Sequence, residues 1–326
     1  MIYPNFLKNK DIIGITAPSN SISDNIELYS LAKNNLKKHF KIVETKSIYS
    51  NKNPSNTKEE RAKEFNSLLK NNDINMILSL RGGDYLIDML PLINYRLLLK
   101  NPKWIVGYSD PTSILYTITA KYDIATIYGV NATSFSQQRL HKSLKDAILL
   151  FKGNLINQES FEKYEGIKND LPKYILTDKV NMNFYNIKND TYTGRCLGGC
   201  IDVIKDIIKT PYDGTDKFIK KYKDDKIIWY FDVFSLSSEE LFRTLWQMKE
   251  LNYFKYTSLI IFGRICIESS FTSTPYDTLI KEILEDIPFI TDADIGHIKP
   301  SFTLINGSLM TVNINKDKIN ISFSLK

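Results

Sequence analysis

The sequence predicts an α/β protein: an N-terminal domain built on a parallel sheet, followed by a smaller, β-rich C-terminal domain. Three observations predict it. The chain has 326 residues, more than one typical domain. Its first 130 residues alternate short apolar runs with helix-length segments, the pattern of strands joined by helical crossovers. Its second half is richer in strand-like runs. The expected division is residues 1–150, a connecting segment 151–190, and residues 191–326.

The elements follow in order. Residues 11–17 (DIIGITA) form an apolar strand stopped by Pro18 and Ser19. Residues 22–40 have helical spacing, and residues 41–45 make a second short strand. Residues 57–71 form a helix with Glu59 and Glu60 in its first turn, where the dipole favours anions. The continuous apolar run 74–80 (INMILSL) is a buried strand closed by Arg81-Gly82-Gly83. Residues 103–108 (KWIVGY) are another strand, leading directly into a helix that starts at Pro111, and residues 125–128 add a further strand. Residues 151–190 are rich in Lys, Asn, Asp and Glu with poor periodicity, as a connection carrying some structure of its own would be. Beyond it the expected strands are 226–232, 256–265, 302–305, 309–314 and 318–323, with helices at 237–251 and 275–286.

Composition removes several function classes. The net charge is +6, but acidic residues are interspersed with the lysines and no face-forming basic cluster stands out, so nucleic acid is not an expected partner. Three cysteines (Cys196, Cys200, Cys266) include no C-x-x-C pair, which argues against zinc ribbons and redox motifs and fits a reducing compartment. The N-terminus lacks an apolar segment of signal-peptide length, and no run approaches the ~18 apolar residues of a membrane span. A cytoplasmic protein without metal, cofactor or membrane partner is expected.

Chemistry points to a few turns. Ser109 lies in Gly107-Tyr108-Ser109-Asp110-Pro111, where a strand meets a helix. A serine on such a turn projects from the sheet edge, and the N–H of Asp110 is placed to stabilise an oxyanion; the alternative is a simple helix cap. The Gly82-Gly83 turn permits close backbone approach to a ligand and presents N–H groups, or is an ordinary strand-to-helix turn. Of three histidines, His39 sits at a helix end and His141 among polar residues, which leaves His297, in a Gly/Pro loop, as the base by elimination. Asp232 ends the apolar run 226–232 (KIIWYFD), where a carboxylate can orient an imidazole or merely cap the next element. The order Ser, Asp, His is also that of α/β-hydrolases.

Taken together these segments resemble the LD-carboxypeptidase family of serine peptidases, which includes the microcin C self-immunity peptidases. The resemblance is carried by LKNKDIIGITAPS (7–19), RGGDYLIDMLPLIN (81–94), KWIVGYSDPT (103–112), GRCLGGC (194–200), IIWYFDVFSLSSEELFRTLWQM (227–248) and IGHIKP (295–300), in the family's order. Lys10 stands where the family's opening motif has Gly, and Asp232 where the family usually has Glu. The resemblance implies Ser109 as nucleophile, His297 as base and Asp232 as orienting acid. It implies an oxyanion hole from the N–H groups of Gly83 and Asp110, in a cleft between two domains. The implied reaction is hydrolysis of a C-terminal amide of a small peptide, the L-to-D bond before the terminal D-Ala of a murein tetrapeptide. The alternatives are an immunity peptidase cleaving a peptidyl- or aminoacyl-nucleotide, for which Trp229 or Tyr108 would offer a stacking surface, and a non-catalytic muropeptide binder. A leaving-group carboxylate needs a cation, and Arg81 and Arg195, each beside a glycine turn, are the candidates; a structural ion pair is the alternative for each. The expected partners are a small peptide or peptidyl-nucleotide and, in a homodimer, a second copy of the chain.

Overall fold

The computed structural model describes residues 1–22, 25–166 and 172–326. Residues 23–24 of the first expected helix and 167–171 of the expected connection lie outside the described residues.

Five parallel strands build the first sheet: β1 (Ile12–Thr16), β2 (Lys41–Glu44), β3 (Ile74–Ser79), β4 (Trp104–Gly107) and β5 (Thr126–Tyr128), paired in the order β5-β4-β3-β1-β2. The apolar runs of β1, β3, β4 and β5 follow from burial on both faces beneath crossover helices, where alternation gives no advantage; β2, at the edge, is half-exposed. The crossovers include α1 (Ile26–Lys37), α2 (Lys58–Lys70) and the short α3 (Tyr95–Lys100). The second is started by Thr57, whose side chain accepts from the Glu60 N–H.

The second sheet is mixed and larger. The segment after the first sheet contributes the short strands β6 (Gln158–Glu159), β7 (Lys163–Tyr164), β8 (Asp178–Lys179) and β9 (Asn183–Tyr185). Then come β10 (Thr191–Cys200), β11 (Ile227–Asp232), β12 (Thr257–Gly263) and β13 (Phe289–Ala293), which run parallel to one another, with β9 antiparallel beside β13. The short β14 (Leu304–Asn306) follows, and β15 (Leu309–Asn315) and β16 (Lys318–Ser324) close the chain as a hairpin with inward–outward alternation, β15 lying antiparallel to β10. The sheet order is β6-β16-β15-β10-β11-β12-β13-β9.

Several sequence expectations change here: β10 and β13 stand where no strand was expected, and two further segments pair elsewhere than expected. Residues 302–305 were expected in the C-terminal domain, but β14 pairs antiparallel with β5, Leu304 opposite Tyr128, and completes the first sheet as its sixth strand. The expected connection 151–190 supplies both edge strands of the second sheet, β6 and β9. An open sheet edge is a property of the folded arrangement, so neither pairing shows in local sequence.

The helix α4 (Thr112–Tyr122) joins the halves. It is buried from Thr112 to Ala120, and its sides enter different cores. Ile114, Leu115 and Ile118 belong to the core around the first sheet, Tyr116 and Ala120 to the one around Trp229, Phe231 and Leu245. A helix apolar on all sides is stable only when covered on all sides, which fixes it as a wedge between the sheets. Among the described residues no helix is long and apolar enough to cross a membrane.

Candidate active site

Ser109 follows β4 by two residues and precedes α4 by three. Its φ is +69°, a left-handed conformation that costs a non-glycine residue about 1–2 kcal/mol. The strained turn lifts the side chain out of the sheet edge. Gly82 makes room for it: a Cβ there would lie 2.9 Å from Ser109 Oγ and 3.8 Å from the Asp110 amide nitrogen. The Asp110 side chain is turned away to hold the edge together. Its carboxylate accepts from the Ser19 hydroxyl, after β1, and from the Leu86 N–H at 3.0 Å, after β3. Burial pushes this carboxyl above its ordinary value, against the pull of those two hydrogen bonds.

His297 arrives on the loop between β13 and β14, which Asp294 pins. One Asp294 oxygen pairs with Arg264 at 2.7 Å, the other accepts from the Phe161 N–H at 3.0 Å, and its carbonyl accepts from the Phe302 N–H at 2.7 Å. Nε2 of His297 stands 3.0 Å from Ser109 Oγ. Nδ1 stands 3.0 Å from Asp232 Oδ1 and 2.9 Å from Oδ2. A carboxylate can only accept, so Nδ1 carries the proton and Nε2 is left to accept from the Ser109 hydroxyl. The ring is confined between Phe234, with centroids 4.4 Å apart, and Tyr108, at 5.2 Å.

Asp232 ends β11 and is fully buried. Burial pushes its carboxyl up. The His297 ring, the Tyr128 hydroxyl and the Lys299 ammonium outweigh that and hold it below its ordinary value. An aspartate reaches the ring because the loop backbone comes very close. A Cβ on Gly296, whose φ is +98°, would lie 2.0 Å from Asp232 Oδ1. Gly296→Ala is therefore expected to force the carboxylate off the imidazole and to cost about 1–3 kcal/mol of stability. The downfield proton NMR signal of the hydrogen-bonded imidazole N–H should vanish, and the denaturant midpoint should fall. An unchanged spectrum would show that the loop tolerates the methyl group.

Ser109 and His297 open on a cavity of about 500 Å³, lined also by Arg81, Gly82 and Gly83, while Asp232 stays behind the imidazole. Arg195 is not there. It is buried beneath the Tyr222 ring, ion-paired with Asp225, and donates to the Gly307 and Lys326 carbonyls, so the structural ion pair replaces its expected contact with substrate. Trp229 is likewise withdrawn into the second core, whereas Tyr108 does face the cavity. His141, expected among polar residues, is half-buried and caps the helix Lys142–Phe151 by accepting from the Ser143 N–H. Sequence reasoning missed Lys299, Phe234, Tyr174 and Glu165 in the cavity and Tyr128 behind it. Lys299 and Phe234 sit two residues from His297 and Asp232, a proximity that could have raised them; Glu165, in the polar connection, carried no signal. Among the described residues no three His, Cys, Asp or Glu side chains stand together as a metal site.

Known proteins share both the sequence pattern and the fold of this chain. Residues 13–129 match the family model of the LD-carboxypeptidase N-terminal domain, and residues 193–312 that of the C-terminal domain. The microcin C7 self-immunity protein MccF of Escherichia coli is 30% identical over 296 residues, 82% of this chain and 79% of MccF. The structure of MccF in complex with aspartyl sulfamoyl adenosine superimposes with a TM-score of 0.83 at 25% identity, covering 100% of both chains. A muramoyltetrapeptide carboxypeptidase from Oxalobacter formigenes shares the fold, with a TM-score of 0.76 at 18% identity over 96% of this chain and 98% of the other.

Proposed function

The chain belongs to the LD-carboxypeptidase family, and from that premise we propose that it is a serine peptidase in which Ser109, His297 and Asp232 act as a catalytic triad. The observation that carries the proposal is the continuous line from Ser109 Oγ through both imidazole nitrogens to a buried carboxylate. Ser109 Oγ attacks the carbonyl carbon of the scissile amide while His297 Nε2 takes the hydroxyl proton. The N–H groups of Gly83 and Asp110 receive the developing oxyanion. His297 then returns the proton to the leaving amine, and water hydrolyses the acyl-enzyme by the reverse sequence. Asp232 keeps the ring in the productive tautomer and stabilises its cation. No step calls for a metal or cofactor.

The proposed substrate is a small peptide cut beside its terminal carboxylate, with the L-to-D bond of a murein tetrapeptide as the first choice. Arg81 is the proposed partner of that carboxylate. Arg81→Met should raise KM roughly 10–100-fold for a peptide acid, the scale of one charge-assisted hydrogen bond, and leave KM for the matching carboxamide nearly unchanged. Equal effects on both substrates would remove Arg81 from carboxylate recognition. A second reading, an aminoacyl-nucleotide substrate, is favoured by the similarity to MccF, whose structures hold aspartyl sulfamoyl adenosine and glutamyl sulfamoyl guanosine. Tyr108, Tyr174 and Phe234 give the cavity the aromatic surfaces a base would need. Incubation with a murein tetrapeptide and with an aminoacyl sulfamoyl adenosine, followed by mass spectrometry, separates the two; no change in either defeats both. A cytoplasmic site of action suits the sparse cysteines, three in 326 residues with no C-x-x-C pair.

A further inference from the structure

Tyr128, at the end of β5, is 1% exposed and stands behind the cavity wall, out of reach of a substrate held there. Its ring packs edge-on against Tyr108, with centroids 6.4 Å apart, and tilted against Tyr230, at 5.5 Å. That much describes an ordinary core tyrosine. Its hydroxyl does more, because it donates to Asp232 Oδ2 and accepts from the Ser109 N–H at 3.4 Å. A wholly buried carboxylate needs donors on both oxygens; with one side bare it would gain a proton and lose its hold on an imidazolium. His297 Nδ1–H is a single donor shared between the two oxygens. Tyr128 is the second. Burial, then the charge of Asp232, pushes the phenol well above its ordinary value, so it remains a donor at neutral pH.

We infer that Tyr128 is a positioning residue: its hydroxyl keeps Asp232 ionised and aimed at His297, and ties that acid to the backbone of the strained serine turn. The inference rests on the triad reading and adds a fourth group to it. It also bears on the short acid at this position, because Asp232 and the Tyr128 hydroxyl together occupy the space ahead of the ring. A longer glutamate there would have to displace the phenol.

The test uses the full chain and a fluorophosphonate probe that phosphonylates an activated serine, with the labelling rate measured against pH. Tyr128→Phe keeps the ring and removes the hydroxyl. Labelling should slow roughly 10–100-fold, the scale of one hydrogen bond to a charged group. Its acidic limb should also move to higher pH, because the His297–Asp232 pair takes up its proton more readily once a donor is lost. In an Asp232→Asn background the same change should have little further effect, since the residue acts through that acid. Incorporating 3,5-difluorotyrosine at 128 keeps the hydroxyl as a stronger donor, so it tests the same link without creating a void; it should move the limb to lower pH. A Tyr128→Phe protein that labels at the wild-type rate, or labels slowly with an unmoved limb and an equal loss in the Asp232→Asn background, overturns the inference in favour of simple packing. If wild type labels no faster than Ser109→Ala, the nucleophile assignment itself fails and takes the role of Tyr128 with it.

Discussion

Ser109→Ala is expected to lower kcat by at least ~10³-fold while the protein stays folded, the scale on which loss of a nucleophile falls in serine hydrolases. The alanine would inherit the left-handed φ of +69° and its strain, so stability should barely change. Ser109→Gly separates the two consequences of the turn. Glycine adopts that conformation freely, so this variant should gain about 1 kcal/mol in denaturant unfolding while losing activity as completely as alanine. Such a result would mean that the fold holds its reactive side chain in place against a local backbone preference. Retention of more than about a tenth of wild-type activity by Ser109→Ala would remove Ser109 from the mechanism.

Asp232→Asn is expected to cost up to about 10⁴-fold in kcat. A carboxamide can present its NH2 to Nδ1, which turns the ring to the tautomer that protonates Nε2 and deprives Ser109 of its acceptor. KM should change little, because Asp232 lies behind the imidazole and does not line the cavity. The variant also carries a pH signature in stability. The carboxyl is held below its ordinary value, so its ionised form stabilises the fold. That contribution is complete above the ordinary carboxylate pKa of about 3.9 and is lost as pH falls through the lowered value. The stability gap between wild type and Asp232→Asn should accordingly be constant near neutrality and shrink in acid below about pH 4. A gap that widens in acid would mean that the ionised carboxylate is not favoured by its surroundings. A rate within tenfold of wild type would leave His297 oriented by something else.

Much of the architecture is legible in the sequence. The short apolar runs at Ile12–Thr16, Ile74–Ser79 and Trp104–Gly107, bounded by turn residues and alternating with helix-length segments, read as strands buried on both faces, and each ends in a turn at one edge of a parallel sheet. Ligands bind at that edge in such sheets, so Gly82, Gly83 and Ser109 could be placed near one another from order alone. The strand Ile227–Asp232 and the helix Ser238–Glu250, with its Ser237–Glu240 capping box, were equally readable. The short helices Ile201–Ile207 and Thr215–Lys221 were not, because seven residues show too little periodicity to separate from loop. Arg195 misled because a guanidinium beside a glycine turn looks the same in sequence whether it meets a ligand or a neighbouring aspartate.

What the sequence determined by itself was local: strands such as Ile12–Thr16 and Ile227–Asp232 (though not β10 or β13), a serine at a strand-to-helix turn, and a histidine in a Gly/Pro loop. What only the tertiary structure decided was every relation across distance. His297 lies 188 residues from Ser109 and 65 from Asp232, yet stands 3.0 Å from a side-chain oxygen of each. Those contacts depend on α4 wedging two sheets together, on β14 crossing back to the first sheet, and on a glycine letting a loop press against a short acid. Periodicity reports which face of an element is apolar, because burial is averaged over a whole face. It says nothing of which polar atom meets which, because a hydrogen bond is set to within a few tenths of an ångström by the packing of elements that are remote in the chain.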